Sequence, residues 1–240
     1  MAEYLNRILD FSGHKWLVKS SGSVEKEGPG PNWFSDTEEN VWLDTEGRLH
    51  MRITHPAVGT DARRAATPEI AKGDRGDDRW WCAEVVSERS FGHGRYTFVV
   101  EGGVETINEN VVLGLFTWDT SPEHHNREID IEISRWRDPE NDAGQFVVQP
   151  GETEGNIKRF PVPLEGKPSV HTFHWQKDRV DFLMTRARDG GVIQEWSYRG
   201  PDNPPEGNEK VRINLWLVRG MPPSDGNEVE VVLRRFAFEQ

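Results

Sequence analysis

The sequence predicts an all-β protein, a β-sandwich or jelly roll, on three observations. About a dozen short apolar segments of strand length follow one another, turns bearing Gly, Pro, Asn or Asp separate them, and almost no stretch repeats at the helical period. The 240 residues suffice for one large core, and no linker-like stretch divides them, so residues 1–240 read as a single domain. A propeller or solenoid is disfavoured because no short-period repeat occurs.

Taken in order, Val41 and Leu43, then Leu49, Met51 and Ile53, alternate about a D-T-E-G turn and give a hairpin. From Pro56 to Arg79 a charged segment with Gly and Pro shows no sustained period and reads as a long surface loop bordering a cleft. Strands follow in W-W-C-A-E-V-V-S, G-R-Y-T-F-V-V-E and N-V-V-L-G-L-F-T-W, with turn signals such as F-G-H-G and E-G-G-V between them. The second half repeats the habit in G-Q-F-V-V-Q, N-I-K-R-F, V-H-T-F-H-W-Q, D-R-V-D-F-L-M-T, V-I-Q-E-W-S-Y, K-V-R-I-N-L-W-L-V and E-V-E-V-V-L-R-R-F-A-F.

Composition narrows the partners. A net charge of −12 argues against nucleic acid and anionic membrane, which need a basic surface, and favours a neutral partner. The single cysteine, Cys82, excludes an intrachain disulfide and a multi-cysteine zinc site, and is expected to act as a small buried hydrophobe. The start M-A-E-Y-L-N-R-I-L-D lacks the basic residues and apolar run of a secretory signal, and no stretch is long and apolar enough to span a membrane. This leaves the compartment open. Ten tryptophans are a heavy load for so polar a chain, so some are expected outside the core, where indoles serve as sugar platforms.

The most informative segment is E-I-D-I-E. Ile129, Ile131 and Ile133 alternate with Glu128, Asp130 and Glu132, the period of a strand with one face on a core. All three acids therefore share the other face. The backbones of Glu128 and Glu132 are then ~13 Å apart, and side chains leaning together close this to ~5–6 Å, the carboxyl separation of a retaining glycosidase. Like charges stacked on one face are unfavourable unless solvent or a purpose holds them there. Trp136 continues the same alternation and would offer a stacking surface. A solvated strand face with an incidental tryptophan, or an acidic calcium site, fits these residues as well.

E-I-D-I-E resembles the active-site signature of glycoside hydrolase family 16, and the likeness spans nearly the whole chain. S-F-G-H-G-R-Y at Ser90 to Tyr96, the strand ending at Trp118, H-T-F-H-W at His171 to Trp175, N-L-W at Asn214 to Trp216, and the closing E-V-V-L-R-R-F-A-F each resemble family landmarks in order. The resemblance implies a concanavalin-like jelly roll of two curved antiparallel sheets with an open cleft for a β-glucan or related polysaccharide. It implies an endo-acting retaining hydrolase with Glu128 as nucleophile, Asp130 as helper and Glu132 as general acid/base. Trp118, Trp136, Asn214, Trp216 and His93 would bind the sugar.

No cofactor is required on this reading. Some relatives hold a structural calcium ion, but no ligands for one are identifiable, and the metal set is none. The resemblance also suggests an extracellular or periplasmic location, and a monomer is expected. Thr97 replaces a glutamate that the family often has, which affects contacts on the glycone side. The motif lacks the extra residue of many laminarinases, tilting the substrate toward mixed-linkage glucan or xyloglucan. A transglycosylase using the same residues and a lectin-like module without turnover are the alternatives. Gln145, Val147 and Gln149 share a parity but read as ordinary strand residues, His124 and His125 as solvated loop residues, and Arg127 and Arg135 as facing away from the acids.

Overall fold

A computed structural model describes residues 4–22, 25–55 and 79–240. Apart from Arg79, the long loop expected from Pro56 to Arg79 lies outside the described residues. The strands are β1 (Tyr4–Phe11), β2 (His14–Ser20), β3 (Trp33–Phe34), β4 (Val41–Leu43), β5 (Leu49–Ile53), β6 (Trp81–Ser87), β7 (Gly94–Val100) and β8 (Val111–Trp118). They continue as β9 (Ile129–Ile133), β10 (Gly144–Val148), β11 (Ile157–Phe160), β12 (Ser169–Gln176), β13 (Arg179–Arg186), β14 (Val192–Tyr198), β15 (Lys210–Leu217) and β16 (Val229–Glu239).

Two sheets form a jelly-roll sandwich, as the sequence predicts. One runs β1-β2-β6-β15-β8-β9-β10-β11, with β3 added in parallel to β6. The other runs β14-β13-β12-β7-β16-β5-β4. The expected hairpin is β4–β5, with Val41 opposite Met51 and Leu43 opposite Leu49. β16 lies between β7 and β5, its first half pairing β5 and its second half β7, and its register with β7 shifts between Leu233 and Arg235. That one irregular strand joins the early hairpin to the rest of its sheet.

The core lies between the sheets, and alternation builds it in strands such as β5 and β7. In β5 the buried Leu49, Met51 and Ile53 are separated by half-buried His50 and Arg52, and β7 buries Tyr96, Phe98 and Val100 in the same way. Aromatic rings fill much of the space: Tyr96 stacks on Phe173 at 4.5 Å, and Phe146 on Phe182 at 4.9 Å. Cys82 is free and buried in this core, as expected of a small hydrophobe. Among the described residues no helix is long and apolar enough to cross a membrane.

Ile131 is fully buried at the centre of β9, whereas Ile8 on the edge strand β1 is 52% exposed. Ile131→Ala is expected to lower the unfolding free energy by about 2–5 kcal/mol through lost burial and a residual cavity, and Ile8→Ala by less than ~0.5 kcal/mol. Denaturant unfolding of the two variants checks the contrast.

Candidate active site

The site is built by register. β9 lies between β8 and β10: Glu132 is opposite Gly114 on one side and Gln145 on the other, and Asp130 is opposite Phe116 and Val147. Continuing across the sheet, Asn214 on β15 pairs with both Gly114 and Glu84, and Arg159 on β11 pairs with Gln145. Glu84, Asn214, Gly114, Glu132, Gln145 and Arg159 thus form one row over six strands. Gly114 leaves room for Asn214, because a Cβ on it would lie 2.4 Å from the Asn214 Oδ1 and push that amide aside. Since Ile129, Ile131 and Ile133 are fully buried, the intervening acids face away from the core into a cleft of about 940 Å³.

Glu128 stands just before β9, in extended conformation at the end of a short 3-10 turn, Pro122–Arg127. The three residues before it, His125, Asn126 and Arg127, all have positive φ, a costly arrangement for side chains with a Cβ. Several bonds hold it in place. The Asp119 N–H donates to the Asn126 carbonyl at 2.7 Å, the Thr117 hydroxyl to the Arg127 carbonyl at 2.8 Å, and Arg127 pairs with Asp119 at 2.5 Å. As the alternation indicates, Arg127 thereby serves the turn and not the acids.

Glu128, Asp130 and Glu132 all line the cleft. Burial disfavours their charged forms, and repulsion from Glu132 adds to it at Glu128, so the carboxyls of Glu128 and Glu132 are pushed up to about 7. Asp130, the most buried of the three, is raised well above the usual carboxylate range by burial and then by Glu128 and Glu132. Its hydrogen bond to Glu128 favours the ionised form of Glu128 and the protonated form of Asp130. Amides bracket the row: Gln145 Nε2 donates to Glu132 at 2.5 Å, and Gln149 Nε2 to Asp130 at 3.1 Å. A proton held on such a cluster at neutral pH is available for transfer.

Trp118, Trp136, Asn214 and Trp216 also line the cleft. Trp136 reaches it by a different route from the expected alternation. The strand ends at Ile133, and a turn with positive φ at Trp136 and Arg137, tied by the Trp136 N–H to the Ser134 hydroxyl at 3.0 Å, swings the indole back. There it meets Trp216 edge to face at 6.0 Å. His93 is a correction: it does not line the cleft. It precedes β7, which belongs to the opposite sheet, and packs edge-on against Trp175 at 4.8 Å with Nδ1 3.5 Å from Glu206.

Gln145, Val147 and Gln149 are a second correction, since all three line the cleft and the two amides hold Glu132 and Asp130. Their shared parity was the available signal. The sequence reading also passed over Lys19, Glu84 and Arg212 in the cleft floor, where Arg212 pairs with Glu84 at 2.8 Å and Lys19 with the same carboxylate at 3.5 Å. A glutamate inside the apolar run W-C-A-E-V-V-S, and Arg212 on the parity of Asn214 and Trp216, were the clues. Among the described residues no group of three or more His, Cys, Asp and Glu is arranged to hold a metal ion.

No protein-family model and no curated protein sequence matches the chain. Solved structures do. The Bacillus licheniformis β-glucanase superposes with a TM-score of 0.62 at 16% identity, covering 99% of this chain and 96% of that one. A pseudo β-1,3-glucanase of Mycobacterium tuberculosis gives 0.63 at 16%, covering 94% and 91%. LamAcat from Zobellia galactanivorans gives 0.61 at 13%, covering 98% and 95%. The fold is that of the β-glucanase jelly rolls.

Because Glu132 has a raised carboxyl pKa, it contributes full stability below the ordinary carboxylate range, and that contribution is lost as pH rises through about 7. Glu132→Gln is therefore expected to be more stable than wild type at pH 8, by roughly 1–3 kcal/mol, with the difference vanishing near pH 4. Thermal unfolding across that range tests the sign.

Proposed function

We propose that the protein is a retaining glycoside hydrolase that cleaves a neutral β-glucan or related polysaccharide within the chain. The observation that supports this most directly is the row Glu128, Asp130, Glu132 in a cleft flanked by indoles, with protonation balanced near neutrality. Glu128, ionised, attacks the anomeric carbon while Glu132 gives its proton to the departing glycosidic oxygen. Glu132 then takes a proton from water, which attacks the same carbon and releases Glu128, so configuration is retained. Asp130 donates its hydrogen bond to Glu128 and weakens it as charge leaves that carboxylate.

Neutral substrates are favoured because, even with Asp130 and Glu132 holding protons, the four acids Glu25, Glu27, Glu84 and Glu128 outnumber the three cations Lys19, Lys26 and Arg212 that line the cleft. A uronate or sulfated chain would meet repulsion there. Among proteins sharing the fold, a LamA variant from Zobellia galactanivorans was captured with laminaritriose and laminaritetraose, which supports a β-linked glucan as the ligand class.

A lectin-like role is the second reading, favoured by one observation: a neighbour of equal structural similarity is described as a pseudo-glucanase. Reducing-sugar release from β-1,3-, mixed-linkage and xylo-glucans separates the two. Wild type is expected to cleave at least one polymer with retained anomeric configuration, and Glu128→Gln and Glu132→Gln to lose roughly 100-fold or more. Binding without release by wild type and variants alike would establish the lectin reading. Added oligosaccharide acceptors, scored by the ratio of transfer to hydrolysis products, identify a transglycosylase.

Asp130→Asn tests the helper role. It removes a proton that the cluster shares while keeping a hydrogen-bond donor beside Glu128, so the acid limb of the pH–rate profile is expected to move and kcat to fall. An unaltered profile would remove Asp130 from the mechanism.

A further inference from the structure

The cleft floor holds an ion pair that the chemistry above does not use. Arg212 and Glu84 are both buried, Glu84 to 1% exposure, and their contact is 2.8 Å. Such pairs are a poor source of stability, because desolvating both charges consumes what their attraction returns. Its position is informative. Arg212 lies on β15 opposite Phe116, one step along from the row of Glu132, and its guanidinium sits over the Trp118 ring at 4.5 Å. By the β8–β9 register, Trp118 is the next residue beyond the pair Thr117 and Ile129, which sets it beside Glu128. Arg212 therefore leans toward the Glu128 end of the acid row.

We propose that Arg212 is a positioning residue of this cleft: tied to Glu84 and seated on Trp118, it sets a permanent positive charge on the Glu128 side and so joins the hydrogen bond from Asp130 in favouring charge on Glu128. The proposal rests on the retaining reading for its use in catalysis, while the electrostatic claim itself stands on the geometry. Burial is the largest influence on both glutamates, the hydrogen bond from Asp130 favours charge on Glu128, and Arg212 adds to that bond. Arg212 attracts charge onto Glu128, and Glu84, behind Arg212, opposes it. Glu84 is thus the counterweight that limits how far Arg212 acts, and Lys19 at 3.5 Å holds Glu84 from the other side.

The other groups around Glu128 are accounted for. Asp130 and Glu132 share its strand and raise or share its proton, and Gln149 on the β10 side gives its backbone N–H to the Glu128 carbonyl at 3.1 Å. Arg127, next in the chain, is engaged by Asp119 and by the Pro205 carbonyl at 2.9 Å. Lys210, opposite Trp118, donates to the Glu88 carbonyl at 2.8 Å. Arg159 acts on the other glutamate, Glu132. Arg212 is the cation whose charge falls on Glu128.

The test is titration of the side-chain carboxyls by carbon-13 NMR in the full chain, with the Glu128 signal assigned by its loss in Glu128→Gln. In Arg212→Gln the Glu128 midpoint is expected to rise on the order of one pH unit. In Glu84→Gln, which removes the opposing charge, it is expected to fall. A merely structural role would disturb the site similarly in both variants, so opposite signs are the distinguishing result. Arg212→Lys keeps the charge and loses the planar stack, so its midpoint stays near wild type while KM on an active polymer rises.

An unmoved midpoint in folded Arg212→Gln, or shifts of the same sign in the two variants, would overturn the proposal. Should Arg212→Gln fail to fold, Glu84→Gln and Arg212→Lys decide it: a midpoint that does not fall in the first, or that rises by about a unit in the second, is equally fatal. Titration needs no turnover. An absence of sugar release by wild type would therefore defeat the glycosidase reading and leave the electrostatic result standing.

Discussion

Packing three isoleucines of β9 into the core obliges the three acids between them to face the cleft, and this exchange underlies the whole arrangement. Neither side of it is negotiable locally. A slip of one residue in the pairing with β8 or β10 would bury Asp130 and Glu132 between the sheets and put Ile131 in the solvent. The register that secures the core is thus the same register that sets the acids side by side, and the cost of crowding them is met by the burial of their neighbours.

The neighbouring strands then decide how that crowding is used. β10 supplies Gln145 and the residue just past its end is Gln149, and they hold two of the carboxyls by one hydrogen bond each. β8 supplies space through Gly114 and a wall through Trp118. β15 and β6 add the Arg212–Glu84 pair, whose charges are fixed by burial where those of the acid row are free to exchange protons. Fixed charges thus stand on one flank of the cleft and titrating charges in its middle.

Much of this was legible in the sequence, because the signal and the structure share a period. The alternation in E-I-D-I-E gave the strand, its buried face and the grouping of Glu128, Asp130 and Glu132, and the same rule placed Asn214 with Trp216. It misjudged residues whose position depends on partners far along the chain. Gln145 and Gln149 were dismissed because an amide on a strand face looks alike whether it meets water or a carboxylate, and only the β9–β10 register tells which. Glu84 and Arg212 lie 128 positions apart, and each alone reads as an awkward charge in an apolar run. His93 failed for a topological reason: neighbouring strands in sequence, β6 and β7, belong to opposite sheets.

Trp136 reaches the cleft from a turn beyond the end of β9, whereas Glu132 is locked in the ladder. The acid row and the indole wall are consequently encoded in separable stretches of chain. Insertions or deletions between Ser134 and Ala143 can re-aim the indole while leaving every rung of the ladder undisturbed, so a lineage built on this scaffold is free to reshape one wall of the cleft without moving its acids.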